Sequence, residues 1–166
     1  MATPFEDPIN RFFYRIEEDR DFFQYINLDD AEAMQLARRR ATNYLRNAVD
    51  RMMLDGDPDI DLSDVDEQAA QFNADLTSRE VFILASLMYE YYLAKDIAKI
   101  KTYTVNYTAT DLRVFDPSNA RTSFMELYNG VKAENEKLLD LYRNTDRLTG
   151  AAKHIDFASY DEEDGR

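Results

Sequence analysis

Between residues 77 and 100 a helix-start signal runs directly into a segment that is apolar on nearly every side. Thr77 and Glu80 stand at the S/T-x-x-E spacing in which a hydroxyl and a carboxylate satisfy each other's unpaired backbone N–H groups, so a helix is expected from Ser78. From Val81 to Ile100 the residues Val81, Phe82, Leu84, Ala85, Leu87, Met88, Tyr91, Tyr92 and Ala94 cover most of the circumference, with Ser86 and Glu90 as the clear polar breaks. A helix of that kind cannot lie on a surface. It is either the central helix of a bundle or a helix covered partly by its own domain and partly by another chain.

Other helices follow from periodicity. Asp116 is placed to cap a helix with Pro117 in its first turn, where a missing N–H does no harm. Its apolar stripe is Phe124, Leu127, Tyr128, Val131, Leu138 and Tyr142, weakened at Gly130 and Asn135. The intervening stretch from Thr102 to Thr108 is β-branched and aromatic, and with Leu112, Val114 and Phe115 it reads as an extended loop or weak hairpin. Upstream, Asp7-Pro8 starts a helix whose face is Ile9, Phe12, Phe13 and Ile16. Asp29 and Asp30 precede a longer pattern from Ala31 to Leu54, with Met34, Ala37, Ala41, Tyr44, Leu45, Ala48 and Met52 on one face and Gly56 as a stop. At ~1.5 Å per residue this helix and the one from Ser78 are each about 36 Å long, enough to pack side by side.

The expected fold class is therefore all-α: a small bundle of three to four main helices with a short extended or hairpin connector and an extended C-terminal tail. Residues 1–144 make the helical domain and 145–166 the tail. A chain of 166 residues, 45% hydrophobic, suits one domain with a real core. The start, Met1 to Asp7, is acidic where a signal peptide needs a basic segment and an apolar run, and no stretch reaches the ~20 apolar residues of a membrane span. The absence of cysteine excludes disulfides and thiolate chemistry and fits folding in a reducing cytoplasm.

The net charge of −13 is unevenly spread. Residues 55–76 hold eight acids and no base, and residues 1–30 hold eight acids against three bases. Residues 145–166 hold six acids and three bases, whereas residues 31–54 carry five arginines against Glu32 and Asp50. Such a chain repels nucleic-acid phosphate rather than gripping it. The run Asp55, Asp57, Asp59, Asp61, Asp64 and Asp66 superficially resembles a calcium loop, but a count from Asp55 puts Ile60 where an EF-hand needs glycine and Asp66 where it needs glutamate. A solvated loop between helices is the plainer account. Arg38, Arg39 and Arg40 are consecutive on a helix and fan around it, so they cannot form one phosphate-gripping face. They read as a solvated helix side, with pairing to an acidic loop of a neighbouring subunit as the alternative.

A search for reactive constellations yields no assembled set of roles, so the chain is not expected to be an enzyme. His154 is the only histidine, and no nucleophile-elbow sequence accompanies it. A di-iron bundle needs two Glu-x-x-His pairs, and the residue three before His154 is Ala151. No glycine-rich phosphate loop is present. No cofactor or metal is expected.

The run from Leu76 to Leu93 (LTSREVFILASLMYEYYL), then FDPSNAR at Phe115–Arg121 leading into a charged helix that ends at Leu141–Arg143, resembles the small helical head–tail connector (adaptor, or neck) proteins of tailed bacteriophages. The entry from Asp19 to Phe23 and the helix segment from Arg39 to Leu45 are similar too, so the resemblance spans roughly Ile16 to Tyr142. It implies a homo-oligomeric ring, commonly twelve-fold, made in the host cytoplasm and seated in the virion between the portal protein and the tail or other neck proteins. DNA would pass through without sequence-specific binding, and no membrane is involved. The acids of residues 55–76 are the candidates to line the channel, since a negative lumen keeps a duplex from adhering, with outward projection of the loop as the equal alternative. A C-terminal docking segment on the portal is also implied, and Ile155, Phe157 and Tyr160 are its candidate anchors, able to add as a strand to a partner's edge; simple disorder is the alternative for this tail. Phe22, Phe23, Tyr25, Tyr89 and Tyr103 are candidates for the subunit interface, because aromatic residues are enriched in interface centres. Core packing is their competing fate.

Two other classes remain open at this stage. An acidic DNA mimic that inhibits a DNA-binding partner needs carboxylates spaced regularly along helix faces, whereas here they cluster in a loop and a tail. A calcium-dependent module is the other, and a calorimetric titration decides it.

Overall fold

The helix-start pair is formed: the Thr77 amide donates to Glu80 Oε2 at 2.6 Å and the Glu80 amide to Thr77 Oγ1 at 3.2 Å. Helix α4 (Ser78–Asn106) begins there and is packed on three sides, by α1 (Glu6–Arg15), α3 (Asp30–Asp55) and α5 (Pro117–Arg143). Ile83, Leu84, Ala85, Leu87, Met88 and Leu93 are buried, so the all-round apolar helix is the central one of the bundle. The computed structural model describes residues 2–25, 27–106 and 117–153. The chain is mostly helical, as its periodicity requires, with one small sheet in addition.

Helix α4 continues through Thr102 and Tyr103 to Asn106, where an extended connector was expected. The reason is cooperative: adding a residue to an existing helix gains a hydrogen bond, while β-branched side chains oppose it by only tenths of a kcal/mol. Leu112, Val114, Phe115 and the capping Asp116 lie outside the described residues.

Helix α3 opens on a full capping box between Asp29 and Glu32, with the Glu32 amide donating to Asp29 Oδ1 at 2.8 Å. Its buried face carries Ala37, Ala41 and Ala48 with no exposure, and these small side chains let α3 lie close against α4. Met34, expected on that face, is instead exposed, one turn before the tightly packed stretch begins. Gly56 ends the helix with φ −88°, an ordinary value, so a left-handed turn is not why glycine stands there. A Cβ at this position would lie 2.7 Å from the Met52 carbonyl oxygen and 3.3 Å from Leu139 Cδ2. Asp57, with φ 44°, makes the reversal.

Helix α1 starts at Glu6, slightly before Asp7-Pro8, and places Ile9, Phe12 and Ile16 in the core as its spacing requires. The short α2 (Arg20–Phe23) then delivers Phe22 to the same region. Phe12 stands 5.8 Å from Phe22, 5.9 Å from Tyr44 and 6.0 Å from Tyr92 between ring centroids, all edge-on, the geometry that aromatic quadrupoles favour.

The acidic stretch after α3 is not a plain solvated loop. β2 (Val65–Asp66) and β3 (Gln71–Phe72) pair antiparallel, and β1 (Thr3–Pro4) adds on the other side of β3, giving the order β1-β3-β2. Leu62 and Phe72 are fully buried beneath this layer, and Phe5 meets Phe72 edge-on at 4.9 Å. Apolar residues interleaved with aspartates therefore anchor one side of the stretch while the carboxylates face water.

At the other end, residues 144–153 fold back on the bundle. Thr145 pairs with Ala152, and Asp146 Oδ1 accepts from the amides of Leu148 and Thr149 at 3.1 and 2.7 Å, closing a turn completed by Gly150 at φ 70°. The first residues of the segment assigned to a tail thus belong to the body. His154, Ile155, Phe157 and Tyr160 lie outside the described residues.

Candidate functional site

Asp55, Asp57, Asp59, Asp61 and Asp64 are exposed and Asp66 is half-buried, all on the layer formed by residues 55–72. Local bonds hold them in place. Asp61 Oδ1 accepts from the Ser63 hydroxyl at 2.5 Å and its amide at 2.8 Å, which hold the carboxyl below its ordinary value. Asp64 Oδ1 accepts from Asn73 Nδ2 at 2.7 Å, and Asp66 Oδ1 from the amides of Gln68 and Ala69 at 2.9 and 3.0 Å. Two cations tie the layer to the rest of the molecule, Arg46 to Glu67 at 2.8 Å and Lys153 to Asp59 at 3.0 Å, while Arg51 pairs with Asp55 at 3.3 Å within α3. Among the described residues no three carboxylates or histidines converge in a way that could hold a metal ion.

The aromatic candidates divide. Phe22 is only 1% exposed and serves the core, so it is not available to a neighbouring chain; its spacing from Phe12 and Tyr92 is what commits it. Phe23 is half-buried, edge-on to Phe13 and Phe22 at 5.2 Å each. Tyr25 is half-buried and its hydroxyl accepts from Arg40, whose guanidinium also lies 4.3 Å from the Phe22 ring centroid. Tyr89 is half-buried, stacked on Tyr92 at 6.1 Å, with the Arg15 guanidinium 5.9 Å from its ring. The Tyr103 side chain lies outside the described residues. Of the three consecutive arginines, Arg38 pairs with Glu6 and Arg40 with Tyr25, while Arg39 is exposed.

Two buried polar clusters were not legible as such. In the first, Glu80 has no exposed surface; its Oε1 accepts from Tyr142 at 2.6 Å and from Arg147 Nε at 2.9 Å, and its Oε2 from Arg147 Nη2 at 2.9 Å. Burial alone would raise its pKa, but Arg147, Tyr142 and Thr77 outweigh burial and hold the carboxyl below the ordinary glutamate value. Burial, and then donation to Glu80, push the Tyr142 hydroxyl well above the ordinary tyrosine range. In the second cluster, Glu90 accepts from Arg51 at 2.6 Å and from Asn135 Nδ2 at 2.8 Å, while the Arg15 guanidinium donates to Ser86 Oγ at 3.0 Å. The polar breaks at Ser86 and Glu90 and the weak point at Asn135 were the sequence signals: each marks where one helix meets a polar group of another. Both clusters link helices to each other, and each buried charge in them is compensated.

Between α3 and the sheet lies a cavity of about 240 Å³ floored by Leu45, Leu62 and Phe72, with Val65 on its wall and the Arg46–Glu67 pair at its rim. No helix among the described residues is long and apolar enough to cross a membrane. No protein-family model, curated protein or solved structure matches the chain.

Proposed function

We propose that the protein is a structural virion subunit, a head–tail connector (adaptor) that forms a ring between the portal and the tail of a bacteriophage and continues the DNA channel. The observation that carries this reading is the manner in which the acids are held. Exposed carboxylates at Asp55, Asp57, Asp59, Asp61 and Asp64 sit on a layer with its own buried anchors, Leu62 and Phe72, and with one ion pair to α3 and one to Lys153 in the folded-back segment 144–153. Negative charge fixed in this way presents a constant repulsive face to a passing polyanion, whereas a loose acidic loop would collapse onto any nearby cation. Head–tail connectors, which this chain resembles from about Ile16 to Tyr142, need such a face and also surfaces for neighbouring subunits. The half-buried rings of Phe23, Tyr25 and Tyr89, together with Tyr103, are the candidates to supply them, and residues 154–166 supply the contact to the portal.

The deciding experiment is the mass of the assembly, measured for the protein alone and mixed with the portal of its own phage, followed by imaging of the particle. A closed ring with the portal, aspartates toward the lumen, is the expected result. A discrete inhibitory complex with a DNA-binding protein, or particles lacking this chain along the path from capsid vertex to tail, would overturn the reading.

A further inference from the structure

The cavity between α3 and the sheet is an apolar space set within a negative surface. Its floor and walls come from three parts of the chain: Phe5 ahead of α1, Leu45 and Val49 of α3, and Leu62 and Phe72 of the layer that follows α3. All five side chains are buried, yet between them they leave about 240 Å³. Protein interiors hold few voids larger than a water molecule, and apolar walls hold water poorly. An apolar cavity of about 150 Å³ accepts a benzene ring, so this one has room for a single ring with a short side chain.

The polar groups at the mouth set the charge of whatever enters. Arg46 is the one base in the lining, and Glu67 holds it at 2.8 Å, so those two charges cancel. Asp50 is left over. It is exposed, stands one turn along α3 from Arg46, and forms no ion pair among the described residues. The hydroxyls of Thr42 and Ser63 already donate, to the Arg38 carbonyl at 2.9 Å and to Asp61 Oδ1 at 2.5 Å, so acceptor capacity is what they have to offer a ligand. The segment that supplies Leu62 and Phe72 carries eight acids and no base between residues 55 and 76, which deepens the negative potential around the mouth. An N–H donor with positive charge is favoured there and a carboxylate is repelled.

We propose that this cavity binds a small aromatic ammonium, its single ring against Leu45, Leu62 and Phe72 and its charged nitrogen at the mouth beside Asp50. The site is complete within one subunit, so it holds whether or not the chain assembles with copies of itself.

The test titrates the isotopically labelled full chain with phenethylammonium at neutral pH and about 0.15 M salt, followed by NMR. Saturable shifts are expected with a Kd on the order of 1 mM, the range of a ligand with about nine heavy atoms. The ring protons should give intermolecular NOEs to the methyl groups of Leu45, Leu62 and Val65. Phenethyl alcohol, which lacks the charge, should bind about five-fold more weakly, and phenylpropionate about ten-fold or more. Ethylammonium, which lacks the ring, should not saturate. Asp50→Asn should bring the cation to the level of the alcohol. Val65→Phe, which fills the cavity from its wall, should abolish binding while the far-UV circular dichroism keeps its helical signal; should that variant fail to fold, the NOEs in the parent chain decide. No saturable binding of phenethylammonium, or no NOE to those methyl groups, overturns the proposal. So does a site that takes phenylpropionate equally well, or equal shifts from ethylammonium, which would put the cation on the surface acids alone.

Discussion

Removing Arg147 should destabilise this fold far more than its place in the last quarter of the chain suggests. Glu80 has no exposed surface, and two of the bonds to its carboxylate come from the Arg147 guanidinium, each at 2.9 Å; Arg147 also donates to the Asp75 carbonyl at 2.8 Å. In Arg147→Met the apolar stem is roughly kept, but a buried carboxylate loses its cation. Breaking a buried pair from one side costs about 3–5 kcal/mol. Tyr142 and the Thr77 amide remain as donors, and the Arg147 side chain is 16% exposed, so water can partly replace it. The lower end, about 3 kcal/mol, is the expected loss. In urea, with a slope of about 2 kcal/mol/M, the unfolding midpoint should fall by about 1.5 M with the slope unchanged. Glu80→Gln should cost less, because the arginine left behind can reach solvent, and the double variant should lose less than the two single losses summed.

The pH dependence carries a sign that checks the cause. In the parent the folded Glu80 carboxyl titrates below its ordinary value of 4.5, so its contribution is complete above that value and is lost as pH falls through the depressed one. Without Arg147, burial dominates and the carboxyl titrates higher, so the gap between variant and parent should close on acidification toward pH ~4. A loss below about 1 kcal/mol at neutral pH, the worth of an exposed ion pair, would refute the claim that Glu80 depends on Arg147. So would a gap that stays constant with pH.

Three further outcomes are expected. Phe22→Ala should cost about 3–5 kcal/mol by chemical denaturation, since the ring fills the core between Phe12, Tyr44 and Tyr92; a loss under about 1 kcal/mol would return Phe22 to the surface. Gly56→Ala should lower stability by about 1–3 kcal/mol despite its ordinary φ, because the new Cβ would lie 2.7 Å from the Met52 carbonyl oxygen, and a neutral or stabilising effect in thermal melts would contradict that crowding. Asp29→Ala should remove the cap of α3 for about 1 kcal/mol, with Asp29→Ser restoring most of it in the same assay.

Local chemistry made much of this architecture readable. The Thr77/Glu80 box starts α4 where its spacing places it, the Ile9, Phe12, Ile16 stripe of α1 is buried, and the all-round apolar helix is central. These readings hold because they rest on periods and caps within one or two turns. The reading failed where the partner was remote. Thr102 and Tyr103 look extended by propensity, yet continuing α4 wins. The stretch after Asp55 looks like open loop because β3 takes its second partner from Thr3–Pro4, near the other end of the described chain. Of the candidate site, the exposure of Asp55 to Asp64 was legible, whereas the loss of Phe22 to the core was not, since Phe22 and Phe23 have the same surroundings in sequence.

Sequence alone determines which segments must be helical, where they start, and that a central helix has to be covered on all sides, because backbone capping and the periodicity of apolar residues act over a few residues. The roles of Glu80 and Arg147 belong to tertiary structure. A capping glutamate is ordinarily solvated, and only the return of the chain after α5 buries this one and supplies, from 67 positions away, the guanidinium that makes its burial tolerable. A charge removed from water is stable only beside its counter-charge, and which counter-charge arrives is settled by how the helices pack.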